Sequence, residues 1–87
     1  MTKAQAKAKT TRDVLAEYQK KYQFKDADLM DLFGVTRQMV WNYLTGRYVP
    51  SIPRLLWIAA SKDGEWEAEM AREILAAQGV ELKEMTA

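Results

Sequence analysis

Apolar residues recur along this chain in five runs, each with the i, i+3, i+4 spacing of one helix face. Short polar segments containing Gly, Pro, Ser or Thr separate the runs, and these residues are typical of helix ends and turns. The pattern predicts helices over residues 11–22, 26–33 and 37–45, then from a Ser51 cap to residue 60, and over 65–77. No run has the length and alternation of a sheet strand, so the sequence predicts an all-α fold.

The apolar positions of each run define a predicted buried stripe. The stripes are Val14, Leu15, Tyr18 and Tyr22; Leu29, Leu32 and Phe33; Val40, Tyr43 and Leu44; Leu55, Leu56, Ile58 and Ala59; and Trp66, Met70, Ile74, Leu75 and Ala77. On the third helix the residues outside the stripe are mostly polar, and they form a predicted exposed face of Arg37, Gln38, Trp41, Asn42 and Thr45.

The junction between the second and third helices has the residues of a tight turn. Gly34 follows the second helix, where a left-handed residue is needed, and Thr36 can cap the third helix with its hydroxyl. Val35 lies between them as an apolar plug, and Gly46 ends the third helix as Gly34 ends the second. Two helices joined in this way form a helix-turn-helix, whose second helix reads the DNA major groove.

With these features in register, the run LMDLFGVTRQMVWNYLTGRYVPS resembles the helix-turn-helix of the phage lambda repressor and Cro family. The resemblance covers roughly residues 13–60 and rests on Leu29, Gly34, Val35, Thr36, Val40, Tyr43, Gly46, Pro50 and Ser51. It implies a five-helix lambda-repressor-like domain with a central helix-turn-helix and a C-terminal helix. This chain departs from the family in having Met30 where a small residue is common. It also has Lys25 and Asp26 where Thr-Gln is common.

The predicted contacts with DNA fall into two groups. Arginine can bond guanine through two donors, and Gln or Asn can bond adenine in the same manner. We therefore expect base contacts from Arg37, Gln38 and Asn42, with Trp41 either in the groove, in the core or at a protein contact. Expected phosphate contacts are Thr36, Thr45, Arg47, Tyr48, Arg54, Lys3, Lys7 and Lys9.

Charge divides the chain more sharply than its net value of +1 suggests. Residues 1–12 carry +4, residues 13–62 carry +2 and residues 63–87 carry −5. The sequence thus predicts a basic arm over 1–10, a DNA-binding core over 11–62, and a C-terminal helix and tail over 63–87. The basic parts could face phosphate while the acidic end points away.

The fifth helix is a candidate dimer element because its stripe exceeds what a small core requires. Trp66, Met70 and Ile74 are the predicted contacts between two copies. A dimer would place two recognition helices about one turn of DNA apart on a palindromic operator. The expected function is a phage or bacterial transcriptional regulator, most simply a repressor.

Two other functions remain open. An antitoxin that regulates its own operon would present the fifth helix and tail to a toxin. A protein-interaction module could keep this fold without binding DNA. Three features favour it: the acidic second helix, Trp41 and the low net charge.

The composition limits other classes of function. The chain has no Cys and no His, which removes thiolate chemistry, the commonest metal ligand and the commonest general base. We therefore expect neither an enzyme nor a metal or other cofactor. We also expect a cytoplasmic protein without a signal peptide or membrane span.

Overall fold

The computed structural model describes residues 9–80, and within them five helices follow one another in the predicted order. They are α1 (Thr11–Tyr22), α2 (Asp26–Phe33), α3 (Arg37–Leu44), α4 (Ile52–Ser61) and α5 (Trp66–Ala77). No strand occurs in this part of the chain, so the all-α prediction is confirmed. Most of the predicted arm, including Lys3 and Lys7, and the tail from residue 81 lie outside the described residues.

Short side chains fix the helix starts. The hydroxyl of Thr10 accepts from the backbone N–H of Asp13, whose carboxylate accepts in return from the Thr10 N–H, so α1 begins with a reciprocal capping box. Ser51 caps α4 by accepting from the N–H of Arg54 at 3.3 Å. Gly34 is left-handed at the end of α2, with φ +66°, as predicted.

The core is closed by α5, which packs across α4 and α1, while α3 packs against α2 and α1. This corrects the predicted dimer contacts, because Met70 and Ile74 are both 0 % exposed and contact the core of their own chain. Their stripe is needed to cover α1 and α4, so neither side chain is available to a second copy. Only Trp66 of the predicted contacts keeps some exposed surface.

An aromatic stack joins the end of α1 to the start of α5. Trp66 stacks on Tyr22 with ring centroids 5.0 Å apart and on Phe24 at 5.4 Å. Tyr22 was predicted to be buried but is 36 % exposed, whereas Phe24, in the loop after α1, is buried. The chain turns at Gln23, which is left-handed with φ 55°, and this turn directs Phe24 into the core.

Arg54 forms a clamp between α4 and the end of α2. Its Nε donates to the carbonyl of Leu32 at 3.1 Å, which satisfies a carbonyl at the C-terminus of α2. Its guanidinium also lies over the Trp57 ring, 4.3 Å from the centroid. A Cβ at Gly34 would be 3.1 Å from Nη2 of Arg54, so the turn and the clamp are closely packed.

A search of residues 9–80 for membrane-spanning helices found none with the necessary length and apolar character.

Candidate nucleic-acid interface

The position of α3 is fixed by a cap and by its buried side. The backbone N–H of Met39 donates to the Thr36 hydroxyl at 3.3 Å, which confirms the predicted cap. Val40 and Tyr43 face the core, and the Tyr43 ring meets Phe33 of α2 edge to face at 5.4 Å. The burial of Tyr43 raises its pKa. The buried face of α3 is thus fixed by its contacts with the rest of the core.

The opposite side of α3 carries an exposed strip consisting of Arg37, Gln38, Trp41 and Thr45. At about 100° per residue these positions fall within an arc of roughly 100° on one face of the helix. Trp41 is 51 % exposed, which removes the alternative that it tucks into the core. The strip combines hydrogen-bonding groups with an apolar ring, a composition that suits the edges of bases.

Asn42 does not belong to this strip, although the sequence prediction placed it there. It is only 7 % exposed, and its Nδ2 donates to the sulfur of Met39 at 3.8 Å. The loop after α3 also returns to this position, where the N–H groups of Arg47 and Tyr48 both donate to the backbone carbonyl of Asn42. The prediction that Asn42 contacts bases is therefore wrong for this conformation.

An acidic side chain lies beside the exposed strip. Asp26 Oδ2, on α2, is 3.8 Å from Nη1 of Arg37, and both side chains are largely accessible to solvent. Asp26, Arg37, Gln38 and Trp41 together line one shallow depression. The carboxylate therefore competes with any anionic ligand for the Arg37 guanidinium, although an exposed pair of this kind is weak.

The loop after α3 presents the predicted phosphate ligands Arg47 and Tyr48. Both are exposed, and within residues 9–80 neither side chain has a hydrogen-bond or ion-pair partner. Their backbone N–H groups lie 2.8 and 3.2 Å from the Asn42 carbonyl oxygen, which ties the loop to α3. This segment thus combines a fixed backbone with available side-chain donors.

Other residues predicted to bind phosphate are already engaged within the fold. The Thr45 hydroxyl donates to the Trp41 carbonyl at 2.9 Å, so its one O–H is used. Lys9 lies 2.8 Å from Glu17 and 3.6 Å from Glu73, and chiefly its hydrogen bond to Glu17 raises the Lys9 pKa. The Arg54 guanidinium is occupied by Leu32 and Trp57, as described above.

Arg12, which the sequence prediction did not assign to a contact, lies near the end of the exposed strip on α3. Its side chain crosses Gly46, with Cδ 3.3 Å from the place that a Cβ would occupy there. Arg12 is exposed and lies in the first turn of α1, so it adds a cation close to the C-terminal end of α3. Its inclusion in the basic N-terminal stretch was the only sequence signal for this position.

No protein-family model, curated protein or solved structure matches this chain.

Proposed function

We propose that this protein is a sequence-specific DNA-binding regulator of transcription with the helix-turn-helix arrangement of lambda-repressor-like domains. In this proposal α3 enters the major groove, and Arg37 and Gln38 contact base edges. Arg47, Tyr48 and Arg12 contact phosphates, which position the protein without reading sequence.

The observation that carries the proposal is the exposed strip on α3. Arg37, Gln38 and Trp41 are exposed on a helix whose other face is held by α2 and by the core. A helix that served only to fill the core would gain nothing from this combination of side chains. The basic loop at its C-terminal end adds charge of the sign that phosphate requires.

We also propose that two copies bind together, on a palindromic site. Because Met70 and Ile74 are in the core, the contact must use other residues. Val49, which precedes α4, and Ile52, its first residue, are both exposed apolar residues and lie on the segment that follows the phosphate-binding loop. Contact there would bring the two α3 helices to one side of the dimer.

The experiment is selection of preferred duplexes from a random pool, followed by gel shifts on the preferred and a scrambled duplex over a salt series. Gln38→Ala should cost about 1–3 kcal/mol on the preferred duplex and little on the scrambled one. Arg37→Ala should weaken binding to the preferred duplex more than Lys20→Ala, which removes one exposed cation from the end of α1. Equal losses on both duplexes would refute base reading, and no binding at low salt would refute the proposal as a whole.

A protein-interaction module without DNA binding is a second candidate. It is favoured by the half-exposed Trp41 ring and by the Asp26 carboxylate beside Arg37. This alternative predicts that Trp41→Ala abolishes binding to a protein partner while the wild-type chain fails to retard any duplex at low salt.

A further inference from the structure

A cleft of about 440 Å³ opens between α2, α4 and the start of α5. Its apolar lining includes Phe24, Leu32 and the rings of Trp57 and Trp66. The cleft is open to solvent, so it resembles a groove for side chains of another molecule more than an enclosed ligand cavity.

Carboxylates dominate the charge of this cleft. Asp28, Asp31 and Glu67 line it together with one cation, Lys62. Oε1 of Glu67 is buried and has no hydrogen-bond partner among residues 9–80. A buried carboxylate oxygen without a partner is costly, and a cation held close to the Glu67 carboxylate would offset part of that cost.

The Trp57 ring shows which kind of group the cleft accepts. The ring is 49 % exposed, and the guanidinium of Arg54 lies over it at 4.3 Å. An indole face attracts cations through its quadrupole, and nearby carboxylates strengthen that preference. The remaining ring surface therefore suits a second cationic or apolar side chain.

The cleft is separate from the exposed strip on α3. On α2, Asp28 and Asp31 are about 200° and 140° around the helix from Asp26, which faces Arg37. The carboxylates would also repel DNA phosphates. A molecule in the cleft would thus contact a face of α2 that differs from the face next to the DNA-reading strip.

We propose that this acidic aromatic cleft binds a segment of a partner protein that carries arginine or lysine next to an apolar side chain. The cation lies among Asp31, Glu67 and the Trp57 ring, where the two carboxylates balance its charge. The apolar neighbour packs on Leu32 and the exposed surface of Trp57. The proposal does not depend on DNA binding, because none of these residues belongs to the α3 strip.

The test uses a fluorescein-labelled octapeptide in which arginine alternates with leucine, at low ionic strength. Its control is the same peptide with citrulline, which is neutral and similar in shape, in place of arginine. Fluorescence anisotropy gives the affinity, and ¹⁵N spectra follow the indole N–H signals of Trp41, Trp57 and Trp66. The Trp57 signal should shift with the arginine peptide, the Trp41 signal should not, and the citrulline peptide should bind about tenfold more weakly.

A pair of double variants with the same change in charge locates the site. Asp31→Asn with Glu67→Gln should weaken the arginine peptide about tenfold, the sum of two partly exposed charge pairs. Asp63→Asn with Glu65→Gln removes two carboxylates that do not line the cleft and should change the affinity less than about twofold. Circular dichroism melts establish that both variants are folded, and Glu67→Gln alone serves as the milder variant.

Three results would overturn the proposal. The citrulline peptide could bind as well as the arginine peptide, or both double variants could weaken binding alike, which would indicate diffuse charge attraction. Alternatively, sedimentation could show that the free chain associates with itself through the cleft and that Asp31→Asn with Glu67→Gln abolishes this. In that case the occupant is a second copy and not a partner protein.

Discussion

Replacing Arg54 with leucine separates two roles that the sequence and the structure give to this residue. The sequence suggests a phosphate ligand, whereas the structure has the guanidinium bonded to Leu32 and stacked on Trp57. Leucine keeps the apolar stem of the side chain and removes the charge and the donors. We expect a loss of stability with little change in the salt dependence of DNA binding.

The size of the loss follows from the contacts. A hydrogen bond from a charged donor contributes about 1.5–3 kcal/mol when buried, and partial exposure of Arg54 reduces this to about 1 kcal/mol. A cation–π contact at an exposed ring adds about 0.5–1 kcal/mol. The total of about 1.5–2 kcal/mol corresponds to a fall in Tm of roughly 10 °C for a domain of this size.

Arg47→Leu is the matched control, since it removes the same group from an exposed loop position without a side-chain partner in residues 9–80. Urea unfolding followed by circular dichroism should show Arg54→Leu destabilised and Arg47→Leu unchanged. Gel shifts over a salt series should give the reverse order, with Arg47→Leu lowering the salt slope by about one.

If Arg54→Leu is as stable as the wild type, the contacts of Arg54 with Leu32 and Trp57 do not stabilise the fold. If Arg54→Leu lowers the salt slope by as much as Arg47→Leu does, Arg54 binds phosphate despite its contacts within the fold.

Three further predictions concern single side chains. Asp26→Asn removes the partner of Arg37 and a negative charge beside the proposed groove contacts, so DNA affinity at low salt should rise by up to about fivefold; an unchanged affinity would place Asp26 away from the phosphates. Thr36→Ala removes the cap of α3 and should lower the free energy of unfolding by about 1 kcal/mol, measured in urea. Tyr18 donates to Glu73 at 2.7 Å, and its burial, followed by this hydrogen bond, raises the Tyr18 pKa. The folded state therefore favours the protonated phenol, so this contribution is present below the ordinary pKa of about 10 and is lost as the pH rises above it. The stability difference between wild type and Tyr18→Phe should shrink from pH 8 to pH 11, and a constant difference would contradict the assigned pKa shift.

Local signals in the sequence were sufficient to predict where the helices begin and end. The bounds of α1 and α2 agree with the prediction, and α3, α4 and α5 differ by about one residue at an end. Caps at Thr36 and Ser51 and the left-handed Gly34 are determined by neighbours within a few residues, so the sequence alone could predict them.

Features that depend on distant parts of the chain were not predictable. Asn42 has the polarity of a surface residue, yet it is buried, with its side chain donating to Met39 and its backbone carbonyl accepting from the returning loop. Periodicity could not tell whether the stripe of α5 faces the core or a second copy, because both use the same spacing. Phe24 belongs to no helical stripe, so its burial depends on the left-handed turn at Gln23.

The carbonyl of Asn42 accepts from two successive backbone N–H groups, and these hydrogen bonds tie the loop after α3 to the helix. On the proposed DNA face, Arg47 and Tyr48 therefore keep a fixed distance and orientation relative to Gln38. Their contacts with phosphates would then determine the depth and tilt of α3 in the groove. Little loop entropy is left to lose on binding. A change of one residue in the length of this loop would move the phosphate contacts relative to Gln38. Gln38 would then contact a different base pair, even with every contacting side chain retained.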